Sequence, residues 1–311
     1  MKFAMVFPGQ GSQAVGMLAS YGDAGAIRDT LAEASHILKQ DIGKLVAEGP
    51  AEELNSTVNT QPIMLTAGVC AWRLWRELGG AEPSLVAGHS LGEYTALVAA
   101  GALSFSDALP LVRLRAQAMQ EAVPQGRGAM AAILGLDDDA VRAVCAEAAG
   151  GEVCEAVNFN APSQVVIAGH AEAVKRAMEA AKARGAKRAV PLPVSAPFHS
   201  SLMKPAAERL RDALSRITVN PPRIAVIHNV DAKTRGDANG IREALVTQAD
   251  HAVLWVKCVR EMAGQGVTNV LECGPGKVLA PLTKRIAEGL QGLALADRAS
   301  VESGVQLTKG A

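Results

Sequence analysis

Short apolar runs alternate along this chain with longer segments of helical periodicity, and this alternation constrains the fold more than any other feature. Four runs have the length of buried strands: FAMVF (3–7), SLVAGH (84–89), RIAVIHNV (223–230) and TNVLECG (268–274). Helical spacing between the runs predicts helices at 24–39, 62–78, 92–100, 105–122, 202–216, 240–249 and 277–289. Continuous apolar strands separated by helices indicate an α/β domain with a mostly parallel sheet.

The segment from about residue 128 to 193 follows a different order. It contains, in turn, a strand GAMAAILGL, a helix DDDAVRAVCAEAAG, strands VCEAVNF and SQVVIAG joined by a turn at 160–162, a helix AEAVKRAMEAAKARG and a strand AKRAVPLPV. This β-α-β-β-α-β order predicts a ferredoxin-like subdomain inserted into the larger unit. Proline and glycine near 124–126, and proline near 193–195, indicate hinges. We therefore expect a discontinuous large subdomain of residues 1–125 and 198–311, and a small subdomain of residues 126–197. We also expect a loose polar tail beyond about residue 296.

The composition argues against several functional classes. The 311 residues include 31 basic and 31 acidic side chains, so no net charge favours nucleic acid or a membrane surface. The five cysteines form no C-x-x-C pair, which is typical of reduced thiols in a cytosolic protein. No apolar run approaches the roughly 20 residues of a membrane span, and the first apolar run is too short for a signal-peptide core. We expect a cytoplasmic protein.

The sequence GHSLG at 88–92 has the pattern G-x-S-x-G, between an apolar strand and a helix-forming run. A tight strand–turn–helix connection exposes the central serine at the carboxyl end of the sheet, where α/β sheets bind ligands. Gly88 and Gly92 let the flanking backbones approach each other, and Ser90 lies at a helix N-terminus that favours a developing oxyanion. The pattern also occurs by chance, in which case Ser90 is an idle residue of a glycine-rich connection.

A serine nucleophile needs a general base, and six histidines are available. His199 stands in VPLPVSAPFHSSLMKPA, at the junction where the small subdomain returns to the large one, and domain junctions are where ligand clefts form. The alternative is that His199 only caps its own helix. His89 lies inside the turn itself, which favours a local hydrogen-bonding role, and His228 and His251 remain open.

Two further features complete the candidate site. FPGQGSQ (7–13) follows the first strand, and its glycines would let backbone N–H groups approach a ligand at the same edge of the sheet. Arg113 and Arg115 lie in a mostly apolar helix after Ser90. An arginine there is usually a surface residue with a buried stem, but one that faces a cleft can bind a carboxylate through both of its terminal nitrogens.

These residues together resemble the malonyl-CoA:acyl carrier protein transacylase family. The resemblance covers nearly the whole chain through FPGQGSQ, TQPIM, GHSLGEY, RAQAMQEAVP, GAMAAILGL, NFNAPSQVVIAG, LPVSAPFHSSLMKP, NVDAK and ECGPGKVL. It implies a hydrolase-like α/β core with the inserted ferredoxin-like subdomain. It also implies transfer of a malonyl group from malonyl-CoA to the phosphopantetheine thiol of acyl carrier protein, through a malonyl-serine ester and without a metal or organic cofactor.

The resemblance assigns roles residue by residue. Ser90 would be the nucleophile, His199 its general base, and Arg115 the residue that binds the malonyl carboxylate. The N–H groups of Gln10 and Leu91 would form the oxyanion hole. The main-chain carbonyl of Gln248 would orient His199. Further cleft positions are Gln61, His89, Asn160 and Phe198, the last of which would disfavour an α-methyl branch. Family members often carry Asn-Pro-Val after that glutamine, whereas this chain has His251-Ala252-Val253.

Acyl carrier proteins are acidic, so we expect docking through basic residues at the edge of the small subdomain, foremost Lys187 and Arg188. The alternative is an ordinary solvated helix end.

Other enzymatic interpretations are a transacylase of polyketide synthesis or malonate decarboxylation, and a serine esterase or thioesterase. A patatin-like dyad would need an Asp-Gly element that this sequence lacks. A non-enzymatic scaffold with a vestigial serine is the remaining alternative.

Overall fold

The computed structural model describes residues 1–309. The elements up to the small subdomain are β1 (Phe3–Phe7), α1 (Gly25–Leu38), α2 (Ile42–Glu48), α3 (Ala51–Asn55), α4 (Thr57–Glu77), β2 (Leu85–Gly88), α5 (Gly92–Ala99) and α6 (Phe105–Glu121). Those that follow are β3 (Gly128–Leu134), α7 (Asp138–Ala149), β4 (Cys154–Ala161), β5 (Gln164–His170), α8 (Ala171–Ala183) and β6 (Arg188–Pro191). The last are α9 (Lys204–Leu214), β7 (Ala225–Ile227), α10 (Ala238–Asp250), α11 (Trp255–Gly264), β8 (Asn269–Cys273), α12 (Leu279–Ile286), β9 (Gln291–Leu295) and α13 (Arg298–Thr308).

The large sheet has five parallel strands in the order β7-β2-β1-β8-β9. Every residue of its central strand β1 is buried. Since successive side chains of a strand point to opposite sides of the sheet, both faces of β1 are covered. Phe3, Met5 and Phe7 pack into the core on one face, and Ala4 and Val6 pack into the core on the other. Helices on both faces therefore explain why the strand is continuously apolar, and the predicted α/β class is confirmed.

The small sheet is antiparallel, with the order β4-β5-β3-β6. Helices α7 and α8 cover one face, where Ile133 and Val165 belong to a separate apolar core. On the other face, Met130 and Val166 join the core of the large unit. The β-α-β-β-α-β insertion is thus present, and its uncovered face meets the large unit. The exact division at residues 126 and 197 stays a prediction.

The predicted loose tail after residue 296 is wrong. Strand β9 adds a fifth strand to the large sheet, and helix α13 follows it, begun by a capping box in which Asp297 and Ser300 bond each other's backbone. Val301 and Val305 of α13 are buried. These apolar residues, four apart, lie among polar ones, so the pattern is that of an amphipathic helix packed on a sheet. The turn between β4 and β5 lies at 162–163 rather than at the predicted 160–162, because β4 extends to Ala161.

None of the helices described in residues 1–309 is long and apolar enough to span a bilayer.

The turn after β2 is built on close backbone contact. A Cβ atom on Gly92 would lie 2.1 Å from the carbonyl oxygen of Phe7, and one on Gly88 would lie 1.9 Å from the backbone of Gly92. Both distances are far below van der Waals contact. Strand β1, strand β2 and the start of α5 can therefore meet only because these positions lack side chains.

We expect Gly92→Ala to lower the free energy of unfolding by about 3 kcal/mol, because the added methyl forces backbone apart in a packed core. Gly264→Ala is the matched control, since its Cβ would meet nothing within 4 Å and alanine favours the helix by up to about 1 kcal/mol. Urea denaturation measures both. Equal stability of the two variants would contradict the close approach.

Candidate active site

Ser90 lies in the left-handed region of backbone conformation, with φ of 51°, between β2 and α5. Its own N–H donates to Asn229 Oδ1 at 2.7 Å, and Asn229 Nδ2 donates to the carbonyl of Gly88 at 2.8 Å. Asn229 follows β7, the neighbouring strand, by two residues. One amide side chain from the next strand thus holds both sides of the strained turn.

His199 is the histidine that the fold brings to Ser90. Its Nε2 lies 2.6 Å from Ser90 Oγ, and its Nδ1 lies 2.8 Å from the main-chain carbonyl of Gln248. A carbonyl can only accept, so Nδ1 carries the proton and Nε2 is left to accept the serine hydroxyl proton. Burial, and next the nearby charge of Arg115, lower the pKa of His199 to about 3. The imidazole is therefore neutral and able to act as a base.

Arg115 is 1% exposed, and one of its terminal nitrogens reaches the hydroxyl of Ser90. Nη1 donates to Gln61 Oε1 at 2.7 Å, and Nη2 donates to Gln248 Oε1 at 2.9 Å and to Ser90 Oγ at 3.2 Å. Burial lowers the pKa of the guanidinium. Among the described residues, none of its hydrogen-bond partners is a carboxylate. A buried cation without an anionic partner suits the binding of an anionic ligand.

Arg113, two positions earlier, points elsewhere. Its Nη2 donates to Gln40 Oε1 at 2.7 Å, and the side chain is only half buried. The two arginines lie on different faces of α6, as residues two apart on a helix must.

A cavity of about 170 Å³ lies between the carboxyl end of the large sheet and the free face of the small one. Nine of the predicted site residues line it: Gln10, Gln61, His89, Ser90, Leu91, Arg115, Asn160, Phe198 and His199. Gln248 lies behind Arg115 rather than in the lining. Six residues that were not predicted from the sequence form the remaining wall: Met119, Met130, Asn158, Val166, Leu192 and Val194. All of these except Asn158 are apolar, so this wall of the cavity is largely apolar.

The loop after β1 lies against the turn that carries Ser90. A Cβ atom on Gly9 would come within 2.6 Å of the carbonyl oxygen of His89 and 3.8 Å of the Leu91 nitrogen. In the hydrogen bonds found over residues 1–309, the N–H groups of Gln10 and Leu91 have no acceptor. Both residues line the same cavity as Ser90, and two free N–H donors there have the composition of an oxyanion hole.

The other histidines have separate partners. His89 Nε2 bonds Asn160 Oδ1 at 2.8 Å and so links the turn to β4, and burial lowers its pKa. His228 Nδ1 contacts Glu93 at 2.7 Å, and His251 Nδ1 contacts Asp250 at 2.6 Å. Neither of these two reaches Ser90.

The segment after Gln248 is anchored by backbone bonds although it lacks the family's proline. Val253 donates to the carbonyl of Val157 at 2.8 Å and accepts from the N–H of Phe159 at 3.0 Å. These bonds to β4 anchor the chain just beyond α10. The carbonyl of Gln248 is therefore placed against His199 with alanine at position 252.

The sequence analysis missed Glu93 and Asn229, which are both fully buried beside the turn. The available signal was a polar residue in an apolar setting. Glu93 follows Gly92 in an apolar helix, and Asn229 comes shortly after the apolar strand β7. Their role depends on contacts between distant segments, so the sequence alone did not indicate it.

Comparison with known proteins gives one consistent family. The acyl transferase domain family matches residues 4–292. The chain is 54% identical to the malonyl CoA-acyl carrier protein transacylase of Escherichia coli, over 98% of this chain and 99% of that protein. It superposes on the acyl-carrier-protein S-malonyltransferase of Burkholderia pseudomallei with a TM-score of 0.97 and 62% identity, covering 98% of this chain and 100% of that one.

A further solved structure is a malonyl-transacylase in complex with a type II PKS acyl-carrier protein. The superposition has a TM-score of 0.97 and 51% identity, and covers 99% of this chain and 100% of that one. With a family match over most of the chain and relatives well above 30% identity, the chain belongs to the acyl transferase family, and within it to the malonyl-CoA:acyl carrier protein transacylases.

Proposed function

We propose that this enzyme transfers the malonyl group from malonyl-CoA to the phosphopantetheine thiol of acyl carrier protein, and thereby supplies fatty acid synthesis. The observation that carries the proposal is the guanidinium of Arg115, buried without a carboxylate partner and 3.2 Å from the Ser90 hydroxyl. Malonyl differs from acetyl by a carboxylate, which is ionised at neutral pH. A site that binds it in a cleft must supply a cation.

In the first half-reaction, His199 Nε2 takes the Ser90 proton while Ser90 Oγ attacks the malonyl thioester carbonyl. The N–H groups of Gln10 and Leu91 stabilise the oxyanion, and Arg115 holds the carboxylate. The tetrahedral intermediate collapses, the C–S bond breaks, and coenzyme A leaves with the proton from His199. The product is a malonyl-serine ester.

In the second half-reaction, the phosphopantetheine thiol gives its proton to His199 and attacks the ester carbonyl. The C–O bond breaks, and His199 returns the proton to Ser90 Oγ. Water must not compete with the thiol. The small cavity, with an apolar wall from the small sheet, supports this requirement because it limits the space for an ordered water beside the ester.

A transacylase that supplies polyketide synthesis is the second candidate, favoured by the likeness to the malonyl-transacylase bound to a type II PKS carrier protein. The chemistry is the same and only the carrier differs. The esterase and thioesterase alternatives are weaker, because His199 Nδ1 faces a main-chain carbonyl where such enzymes usually place a carboxylate.

Incubation with labelled malonyl-CoA tests the function. We expect a stable malonyl adduct on the wild-type enzyme, discharged by holo acyl carrier protein, and no adduct on Ser90→Ala. His199→Ala should slow adduct formation by several orders of magnitude, and the double variant should be no slower than the slower single variant, because the two residues act as one unit. Discharge to water rather than to the carrier would instead indicate a thioesterase.

We expect Arg115→Ala to lower kcat/KM for malonyl-CoA by about two to four decades, or on the order of 3–5 kcal/mol, because the substrate carboxylate then lacks a partner. The value of kcat/KM for acetyl-CoA should fall much less, so the preference for malonyl-CoA over acetyl-CoA should be lost. Arg113→Ala is the matched control on the same helix. Loss of the preference in Arg113→Ala with its retention in Arg115→Ala would show that the wrong arginine is assigned.

The low pKa of His199 predicts an unusual pH profile. With a pKa of about 3, His199 stays neutral at pH 5. At that pH an ordinary histidine of pKa about 6.5 would have only roughly one-thirtieth of its molecules in the neutral form. Modification of Ser90 by the uncharged reagent phenylmethanesulfonyl fluoride should therefore change by less than about threefold between pH 7 and pH 5. In Arg115→Ala the inflection should move upward, because a cause of the lowered pKa is removed. An inflection near pH 6.5 in the wild type would be inconsistent with the buried base.

Docking through Lys187 and Arg188 remains part of the proposal. Both are exposed, and Arg188 lies opposite Leu134 in the sheet, about 13 Å along β3 from Met130 of the cavity wall. Reversing both charges should raise KM for acyl carrier protein several-fold and leave KM for malonyl-CoA unchanged. Lys44→Glu with Lys257→Glu, at two other exposed lysines, is the control for net charge. An equal rise for both substrates would exclude docking there.

A further inference from the structure

A buried carboxylate lies one turn beyond the nucleophile. Glu93 is fully buried in the first turn of α5. Its Oε1 contacts His228 Nδ1 at 2.7 Å, and its Oε2 accepts from the N–H of Asn229 at 2.9 Å and from Gln248 Nε2 at 3.0 Å. Three partners from two separate segments thus hold this carboxylate in place.

Glu93 and the carbonyl of Ser90 together fix which way the Gln248 amide points. Gln248 Nε2 donates to Glu93 and, at 2.9 Å, to the carbonyl of Ser90, and both of these groups are acceptors. The amide oxygen must then face the opposite way, where it accepts from Arg115 Nη2 at 2.9 Å. A flipped amide would set its oxygen against a carboxylate and its NH₂ against a guanidinium, and both contacts would be repulsive.

The arrangement places a negative charge near Arg115 without an ion pair. The two residues are separated by one amide group, so the guanidinium is held in place but has no carboxylate of its own. Burial lowers the pKa of Arg115, and the charge of Glu93 is among the groups that oppose this effect. A carboxylate in direct contact would instead satisfy the arginine and compete with the substrate.

We propose that Glu93 is a positioning residue for malonyl recognition, acting through the Gln248 side chain to hold Arg115 beside Ser90 with its charge free for the substrate carboxylate. This inference rests on the proposed function. It assigns the Gln248 side chain a task separate from that of its main-chain carbonyl, which bonds His199. A purely structural Glu93 would support the turn only, and its loss would impair every substrate alike.

Glu93→Gln tests the proposal against a matched control. Glu272 is also fully buried, and its carboxylate accepts backbone N–H bonds from Val278 at 3.0 Å and Ala280 at 2.8 Å, away from the site. We expect Glu93→Gln to lower the malonyl-to-acetyl ratio of kcat/KM by at least about tenfold, mainly through KM for malonyl-CoA. Glu272→Gln should lower Tm but leave the ratio within about twofold.

Gln248→Leu decides the question if Glu93→Gln does not fold. It removes the amide but keeps the main-chain carbonyl that bonds His199 and leaves Glu93 with His228 and Asn229. We expect the malonyl-to-acetyl ratio to fall by at least about tenfold here as well. A parallel fall for both substrates, or an unchanged ratio, would overturn the positioning role while the wild-type preference for malonyl still upholds the proposed function. Absence of that preference in the wild type would overturn both.

Discussion

A guanidinium buried beside the nucleophile is the interaction on which the rest of the site depends. Transfer of a charge from water to a protein interior costs several kcal/mol unless polar groups compensate for it. Here the compensation comes from neutral oxygens of Gln61, Gln248 and Ser90, with the Tyr94 ring centroid 5.4 Å from the guanidinium carbon. Dipoles hold Arg115 in position but leave its charge uncancelled. The site is therefore organised to receive an anion, which under the proposed function is the malonyl carboxylate.

The same charge shapes the behaviour of the base. His199 lies in an apolar junction, close to Arg115, and both burial and that positive charge disfavour its protonated form. A bound malonyl carboxylate would offset the arginine's effect, so substrate binding and base strength are linked through one residue. Acetyl-CoA, which lacks the carboxylate, would not make this change. Under the proposed function, selectivity for malonyl would thus enter both in binding and in the proton transfer.

Ser90 and His199 share a backbone feature that fixes their geometry. Both have positive φ, 51° and 62°, in a region that costs non-glycine residues about 1–3 kcal/mol. The strained backbone conformation persists because several contacts hold it in place. For Ser90 these are the bond to Asn229 and the close approach across Gly88 and Gly92. Strain at the reacting pair, with close packing around it, is the pattern expected of a preorganised site.

Much of the architecture followed from local patterns. Apolar runs indicated four of the five parallel strands, and the element order indicated the inserted subdomain, because both depend on side-chain periodicity. Helix α13 was missed because its apolar stripe is narrow and acquires meaning only against β9. The pairing of Ser90 with His199 was favoured by the position of the domain junction. The role of the Gln248 carbonyl came from family resemblance, because its bond to His199 joins two separate segments that local periodicity cannot pair. Glu93 was not identified, because its contacts join segments more than a hundred residues apart.

A structure of the malonyl-enzyme, trapped by exposing crystals to malonyl-CoA in the absence of carrier protein, tests the central claim most directly. We expect both oxygens of the malonyl carboxylate to bond the terminal nitrogens of Arg115, with the ester on Ser90 Oγ and its carbonyl oxygen on the N–H groups of Gln10 and Leu91. The Gln248 amide should keep its contact with Glu93. A malonyl carboxylate turned toward solvent, with Arg115 still bonded to Ser90, would contradict the claim that this arginine recognises the substrate.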